Sequence, residues 1–178
     1  MFSRLRALWS DTFTPMLRRP PVLQIAALCH RQSSRGTELL LITSSNGRWI
    51  IPKGWPIDGM SDSQAAAQEA WEEGGVRPAH MATEPLDTIL TTKTYNSGLT
   101  VPCKTKIYDL PVSEVLTDYP EKHRRDRVWV SPETAADMVA DDALKPVLRH
   151  FQSRSKQDHH SKTRDRRLAR MSSFEKAT

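Results

Sequence analysis

The order of apolar runs along this chain predicts an α/β protein in which a mixed β-sheet is sandwiched between α-helices. Three observations carry that prediction. Strand-like runs and helical segments interleave without a regular βα repeat, which argues for a mixed sheet rather than a purely parallel one. Two early runs are joined by Ser44-Ser45-Asn46-Gly47, and Asn-Gly is a strong hairpin signal, so part of the sheet is antiparallel. With 178 residues, 38% of them hydrophobic, the chain is long enough for one core with modest extensions.

The elements follow in order. Residues 1–20 form an N-terminal arm, weakly amphipathic, that ends at Pro20-Pro21, since neither proline continues a helix. Strand-like runs then occupy 22–29 (VLQIAALC), 38–43 (ELLLIT) and 48–51 (RWII). A loop rich in glycine and proline, 52–59, leads into a helix over 61–74. Ser61 and Gln64 have capping-box spacing, the interior is alanine-rich, and Gly74-Gly75 supplies the stop. Further strands are expected near 86–94, 104–112 and 127–130. Ser131-Pro132 opens a helix to about residue 140, because proline suits the first turn. Asp141 or Asp142 caps a last helix that reaches about Phe151. Beyond it, 152–178 is a polar tail with few apolar residues, of a composition that reads as disordered. The folded domain is therefore expected over 21–151.

Charge and cysteine usage narrow the function classes. The net charge is +5, and the tail, with eight bases against three acids, accounts for all of it, so residues 1–151 are neutral overall. A basic tail offers a contact to RNA or to a membrane surface. Its only aromatic residue is Phe174, which argues against stacking on single strands. His159-His160 lie in the same polar tract and read as inert. No run approaches the roughly 20 apolar residues of a membrane span, because Gln24 interrupts the longest one. Cys29 and Cys103 cannot make a disulfide framework and form no metal-type pair. A reducing compartment, the cytoplasm, is expected.

Chemistry is concentrated in the helix over 61–74. Its charged residues are Asp62, Glu69, Glu72 and Glu73, with no lysine or arginine among them. Glu69, Glu72 and Glu73 stand at i, i+3 and i+4 and so share one face, where like charges cost roughly 0.2–0.5 kcal/mol per pair. They also sit toward the C-terminal end, which the macrodipole makes unfavourable for anions. A solvated helix face would intersperse bases, so a cation is missing. A hard divalent ion such as Mg²⁺ takes a few carboxylates and completes its shell with water and substrate phosphates. Ala66, Ala67 and Ala70 on the other side are small enough for close packing on a sheet.

Gly54 through Val76 resembles the Nudix box: glycine, five residues, glutamate, seven residues, then Arg-Glu-apolar-any-Glu-Glu-any-Gly-apolar. Here Gly54 is the opening glycine and Gln68-Glu69-Ala70-Trp71-Glu72-Glu73-Gly74-Gly75-Val76 is the end, without a gap. Met60 stands in place of the first glutamate and Gln68 in place of the arginine. The resemblance implies the Nudix fold and Mg²⁺-assisted attack of water on a pyrophosphate linkage, with Mn²⁺ as a substitute. It implies Glu69 and Glu73, with Gly54, at the metal and Glu72 as the base or a second metal ligand. The carboxylate roles are interchangeable at this level, and Glu114 or Glu121 are further candidates for the base. A domain that has lost activity and binds nucleotide or RNA through its tail is the competing expectation.

The resemblance narrows to the branch similar to diphosphoinositol polyphosphate phosphohydrolases. It runs through Arg48-Trp49-Ile50-Ile51-Pro52-Lys53-Gly54, then Val112-Ser113-Glu114-Val115-Leu116, Arg125-Asp126-Arg127-Val128-Trp129 and Lys145-Pro146-Val147. It implies a polyphosphorylated small molecule as substrate, a diphosphoinositol polyphosphate or a dinucleoside polyphosphate. Bases suited to several phosphates are Lys53 beside the metal loop, and Lys104, Arg127 and Lys145. Lys93 and Lys106 are open between that role and guarding strand edges. Trp55 is open between covering the site and packing. Nothing in the residues indicates an oligomeric state.

Overall fold

The computed structural model describes residues 20–94 and 98–151. The expected basic tail, with His159-His160, and the expected arm apart from Pro20 lie outside the described residues.

The centre of the sheet is β1 (Val22–Ser33). It pairs antiparallel with β2 (Gly36–Thr43) and β4 (Lys53–Gly54), and parallel with β7 (Thr100–Val115). β2 also carries β3 (Trp49–Ile50) and β8 (Arg127–Val130), both antiparallel. β7 in turn carries β5 (Val76–Pro78) and β6 (Asp87–Thr94), again antiparallel. One parallel pair among antiparallel neighbours makes the sheet mixed, as the irregular order of elements predicts.

Alternation along the strands builds two cores. Ile25, Ala27 and Cys29 face one side with Leu40, Ile42, Tyr108 and Leu110, against Ala65, Ala66 and Ala70 of α1 (Asp62–Gly74). Ala26 and Leu28 face the other side with Leu39, Leu41 and Ile107. Ala135, Ala136 and Val139 cover that side, from and just beyond α2 (Pro132–Met138), together with Leu148 and Phe151 from helical turns over 145–151. Burial on both faces explains why β1 reads as a continuous apolar run instead of an alternating one. The one interruption, Gln24, is buried and accepts a hydrogen bond from the Thr105 hydroxyl at 3.3 Å.

Local signals set the ends of α1. Ser61 Oγ accepts from the Gln64 N–H, and the Gln64 side chain accepts from the Ser61 N–H at 2.8 Å, completing the capping box. Gly75 closes the helix in the left-handed conformation at φ 63°, where a side chain would be strained. The structure differs from the sequence reading mainly in strand lengths. β1 and β7 run several residues further, because pairing with each other and with hairpin partners continues where the apolar pattern stops. β4 and β5 are only two and three residues long, too short to leave a periodicity.

Candidate active site

The site is assembled where β4 passes under the C-terminal half of α1. Gly54 lies opposite Ile25 of β1, and a methyl group built on it would come within 1.8 Å of Glu69 Oε1. The Glu69 carboxylate therefore lies directly on the β4 backbone, and a side chain at position 54 would displace it. One turn further on, Glu73 is only 6% exposed. Its Oε2 accepts the Lys53 backbone N–H at 2.9 Å and its Oε1 accepts from the Arg125 guanidinium. Glu72 is half-buried and accepts from the Gln68 side-chain amide.

A fourth carboxylate joins them. The Glu121 N–H donates to the Glu72 carbonyl at 2.9 Å, which fastens the 119–126 loop to the end of α1. Glu121 accepts from Arg124 at 3.3 Å and from Arg125 Nε. Of the two candidate bases outside the box, Glu121 is thus brought to the cluster. Glu114 instead faces Arg77 at 3.8 Å across β5 and β7.

Crowding of these anions shows in their proton affinity. Burial pushes the Glu69 carboxyl up to about 7, and the charges of Glu73, Glu72 and Glu121 add to it against the opposing pull of Arg125. Burial also raises Glu73, opposed by the Lys53 N–H and by Arg125. On the other wall, burial holds the Lys53 ammonium below its ordinary range, with Glu73 opposing.

Among the described residues no three His, Cys, Asp or Glu side chains converge as they stand on one ion-binding point. Both oxygens of Glu73 face hydrogen-bond donors, and one oxygen of Glu72 faces Gln68. The donor chemistry does fit a hard divalent cation: carboxylate oxygens only, gathered at one helix end, where burial first and the neighbouring carboxylates second raise the Glu69 carboxyl.

Beside Glu73 opens a cavity of about 170 Å³. Arg48, Lys53, Lys93 and Arg125 line it, with Ser44 and Asn46 from the β2–β3 turn, and among the described residues Glu73 is the one acid in its wall. Lys93 Nζ also sits 4.6 Å from the centre of the Trp55 ring, so the aromatic face is covered by a cation. Among the described residues, four bases against one carboxylate give this cleft a net positive lining.

The structure therefore brings together Gly54, Glu69, Glu72, Glu73 and Lys53 from the sequence reading. It does not bring the other expected substrate contacts to the cleft. Arg127 donates to the carbonyls of Gly74 (2.8 Å), Gly75 (3.4 Å) and Leu116 (2.8 Å), and its guanidinium lies 4.9 Å from the Tyr119 ring centre. Its work is to close the end of α1. Lys145 pairs with Asp142 at 2.6 Å on the surface. Lys104 is exposed on β7, in register with Leu23 and Leu90. Lys106, its neighbour on that face, pairs at 2.6 Å with Asp62, roughly 16 Å along the helix axis from Glu73. Arg48 and Arg125 are not among the site residues the sequence points to: Arg48 opens the strand-like stretch 48–54 and Arg125 stands two residues from Arg127, and no local pattern tells which of these bases turns inward.

Comparison with known proteins places this arrangement. The sequence profile of the NUDIX domain matches residues 22–151. The chain is 31% identical over 121 residues to Nudix hydrolase 16, mitochondrial, of Arabidopsis thaliana, a match covering 66% of each chain. It is 29% identical over 118 residues to Nudix hydrolase 12, mitochondrial, of the same plant, covering 64% of this chain and 58% of that one. The chain thus spans less than two thirds of the length of these plant relatives. It is 32% identical over 126 residues to diphosphoinositol polyphosphate phosphohydrolase 3-beta of Bos taurus, covering 68% of this chain and 70% of that one. Among solved structures, the NUDIX domain of Shewanella oneidensis NrtR, complexed with ADP ribose, superimposes with a TM-score of 0.59 at 20% identity, covering 83% and 97% of the two chains. The MutT protein of Methanosarcina mazei gives 0.56 at 22% identity, covering 79% and 99%. At those identities the likeness attests the fold.

Proposed function

The chain belongs to the NUDIX family, and on that premise we propose that it is a divalent-metal-dependent pyrophosphohydrolase. The observation that carries the proposal is the glutamate face of α1, laid against Gly54 and opening beside Glu73 on a cleft lined by four bases. The proposed substrate is a small molecule with several phosphates, a diphosphoinositol polyphosphate or a dinucleoside polyphosphate. Likeness to the bovine phosphohydrolase supports the first. Proposed residence in the cytoplasm rests on two buried free thiols, Cys29 and Cys103. No helix among the described residues is long and apolar enough to cross a membrane.

Glu69 and Glu73, with Gly54 bounding their pocket, would hold Mg²⁺, for which Mn²⁺ can substitute. When bound, such an ion lowers the pKa of attacking water and neutralises charge that builds on phosphate oxygens. Glu72 would take the proton from that water, or serve as a further metal ligand. Lys53, Lys93 and Arg48 would hold the non-reacting phosphates, because several fixed cations in a partly dry cleft favour an anion that water otherwise solvates well. Half-buried Lys53 and buried Glu73 stand together in the wall of the cleft, where the two groups of residues meet.

The test is phosphorus NMR of the full chain with Mg²⁺ or Mn²⁺ and a panel of phosphoanhydrides, run beside Glu73→Gln. The expected result is metal-dependent cleavage of an anhydride and a loss of at least about a hundredfold in kcat in the variant, which is the upper range for losing even an indirect metal partner. Absence of turnover with either metal across the panel would refute the proposal.

A further inference from the structure

Glu73 is the most enclosed carboxylate of the site, and its own helix offers it no base, since α1 contains neither lysine nor arginine. Gln68, one turn before Glu72, is neutral and bonds Glu72. The cation comes from elsewhere. Arg125 is 16% exposed and all three of its guanidinium nitrogens are engaged: one with Glu73 Oε1, one with Glu121 Oε2 and one with the Thr43 carbonyl at 2.9 Å. The last contact ties the guanidinium to the end of β2, so its plane is fixed by the sheet. The Lys53 N–H fixes the other oxygen of Glu73. Held at both oxygens, Glu73 cannot turn about its terminal bond, whereas Glu69 and Glu72 carry fewer restraints.

We propose that Arg125 is the positioning residue of this site, orienting the Glu73 and Glu121 carboxylates toward the metal from outside the helix that bears the ligands. This rests on the reading of Glu73 as a metal ligand. It sets Arg125 apart from Arg48, Lys53 and Lys93, whose ammonium and guanidinium groups line the cleft for substrate. A single lysine amine cannot replace it, because one ammonium cannot bridge two carboxylates and a carbonyl in a plane.

Three full-length proteins test the proposal: wild type, Arg125→Met and Arg125→Lys. Binding of Mn²⁺ alone is followed by the electron paramagnetic resonance of the free ion, and steady-state kinetics use the fastest substrate of the phosphorus NMR panel. The expected result for Arg125→Met is a fall of about 10–100-fold in Mn²⁺ affinity and in kcat, the range for loss of a partner that orients a ligand, with KM within about twofold of wild type. Arg125→Lys, which keeps the charge beside Glu73 and so serves where the methionine variant fails to fold, is expected to lose at least about tenfold in kcat for want of the fork. A raised KM with unchanged kcat and unchanged Mn²⁺ affinity would overturn the proposal in favour of a substrate contact. Lower thermal stability with both unchanged would overturn it in favour of a purely structural pair. A wild-type chain that neither binds Mn²⁺ nor turns over would instead overturn the functional reading on which the proposal stands.

Discussion

At its N-terminal end α1 is capped by its neighbours in sequence: Ser61 and Gln64 satisfy each other's backbone donors, and Asp62 in the first turn suits the positive end of the helix, to which the ion pair of Asp62 with Lys106, 44 residues away, is a distant addition. At its C-terminal end the last turn has no base and carries Glu72 and Glu73, which the helix dipole disfavours. Within the helix only the neutral amide of Gln68 donates to Glu72; the charged and backbone donors that hold this end arrive from far along the chain. Lys53 is 20 residues away, Arg125 is 52 residues from Glu73, and Arg127 is 53 residues from the Gly74 carbonyl it holds. The difference separates scaffold from site. The end that only has to hold the helix follows local rules, and the end that gathers charge breaks them and depends on tertiary contacts.

Breaking each end should therefore give different kinds of loss. The largest effect is the one on chemistry already described for Glu73→Gln. Next comes Arg127→Met, which leaves three carbonyls at the helix end without their charged donor and is expected to cost about 2–3 kcal/mol of stability. Urea unfolding in EDTA measures it; a raised KM without loss of stability would return Arg127 to substrate contact and weaken the comparison. Ser61→Ala, at the locally stabilised end, is expected to cost about 1 kcal/mol with turnover unchanged. Loss of turnover there, in a protein still folded, would mean the two ends are not separable.

A smaller effect concerns pH. The Glu69 carboxyl is raised from 4.5 to about 7 in the folded chain, so between those values the folded state holds a proton that the unfolded state has released. Stability from this group is full below about pH 4.5 and declines as pH rises toward 7. In EDTA, the melting temperature of wild type should therefore fall relative to that of Glu69→Gln between pH 5 and 8. Parallel curves for the two proteins would show that crowding at this end of α1 is relieved without metal.

The legibility of the molecule follows the same division. The i, i+3, i+4 spacing of Glu69, Glu72 and Glu73, the Ser61–Gln64 cap and the stop at Gly75 depend on residues within one or two turns, and all can be read along the chain. The continuous apolar runs of β1 and β2 likewise report that both faces are buried. Short β4 was not legible, because two residues have no period, yet it carries Gly54 and Lys53 to the site. Arg125 and Arg127 look equivalent in sequence, two bases two apart; one turns to Glu73 and the other to the end of α1.

The amino-acid sequence by itself determined the mixed α/β architecture, the ends of α1 and the face on which three carboxylates gather, because these rest on periodicity and capping over a few residues. Only the tertiary structure decided which bases compensate those carboxylates and which line the cleft. That choice depends on how β4, the 119–126 loop and β8 meet α1 through pairing of strands distant in sequence, and a local pattern reports which face a side chain takes but not what it will meet there.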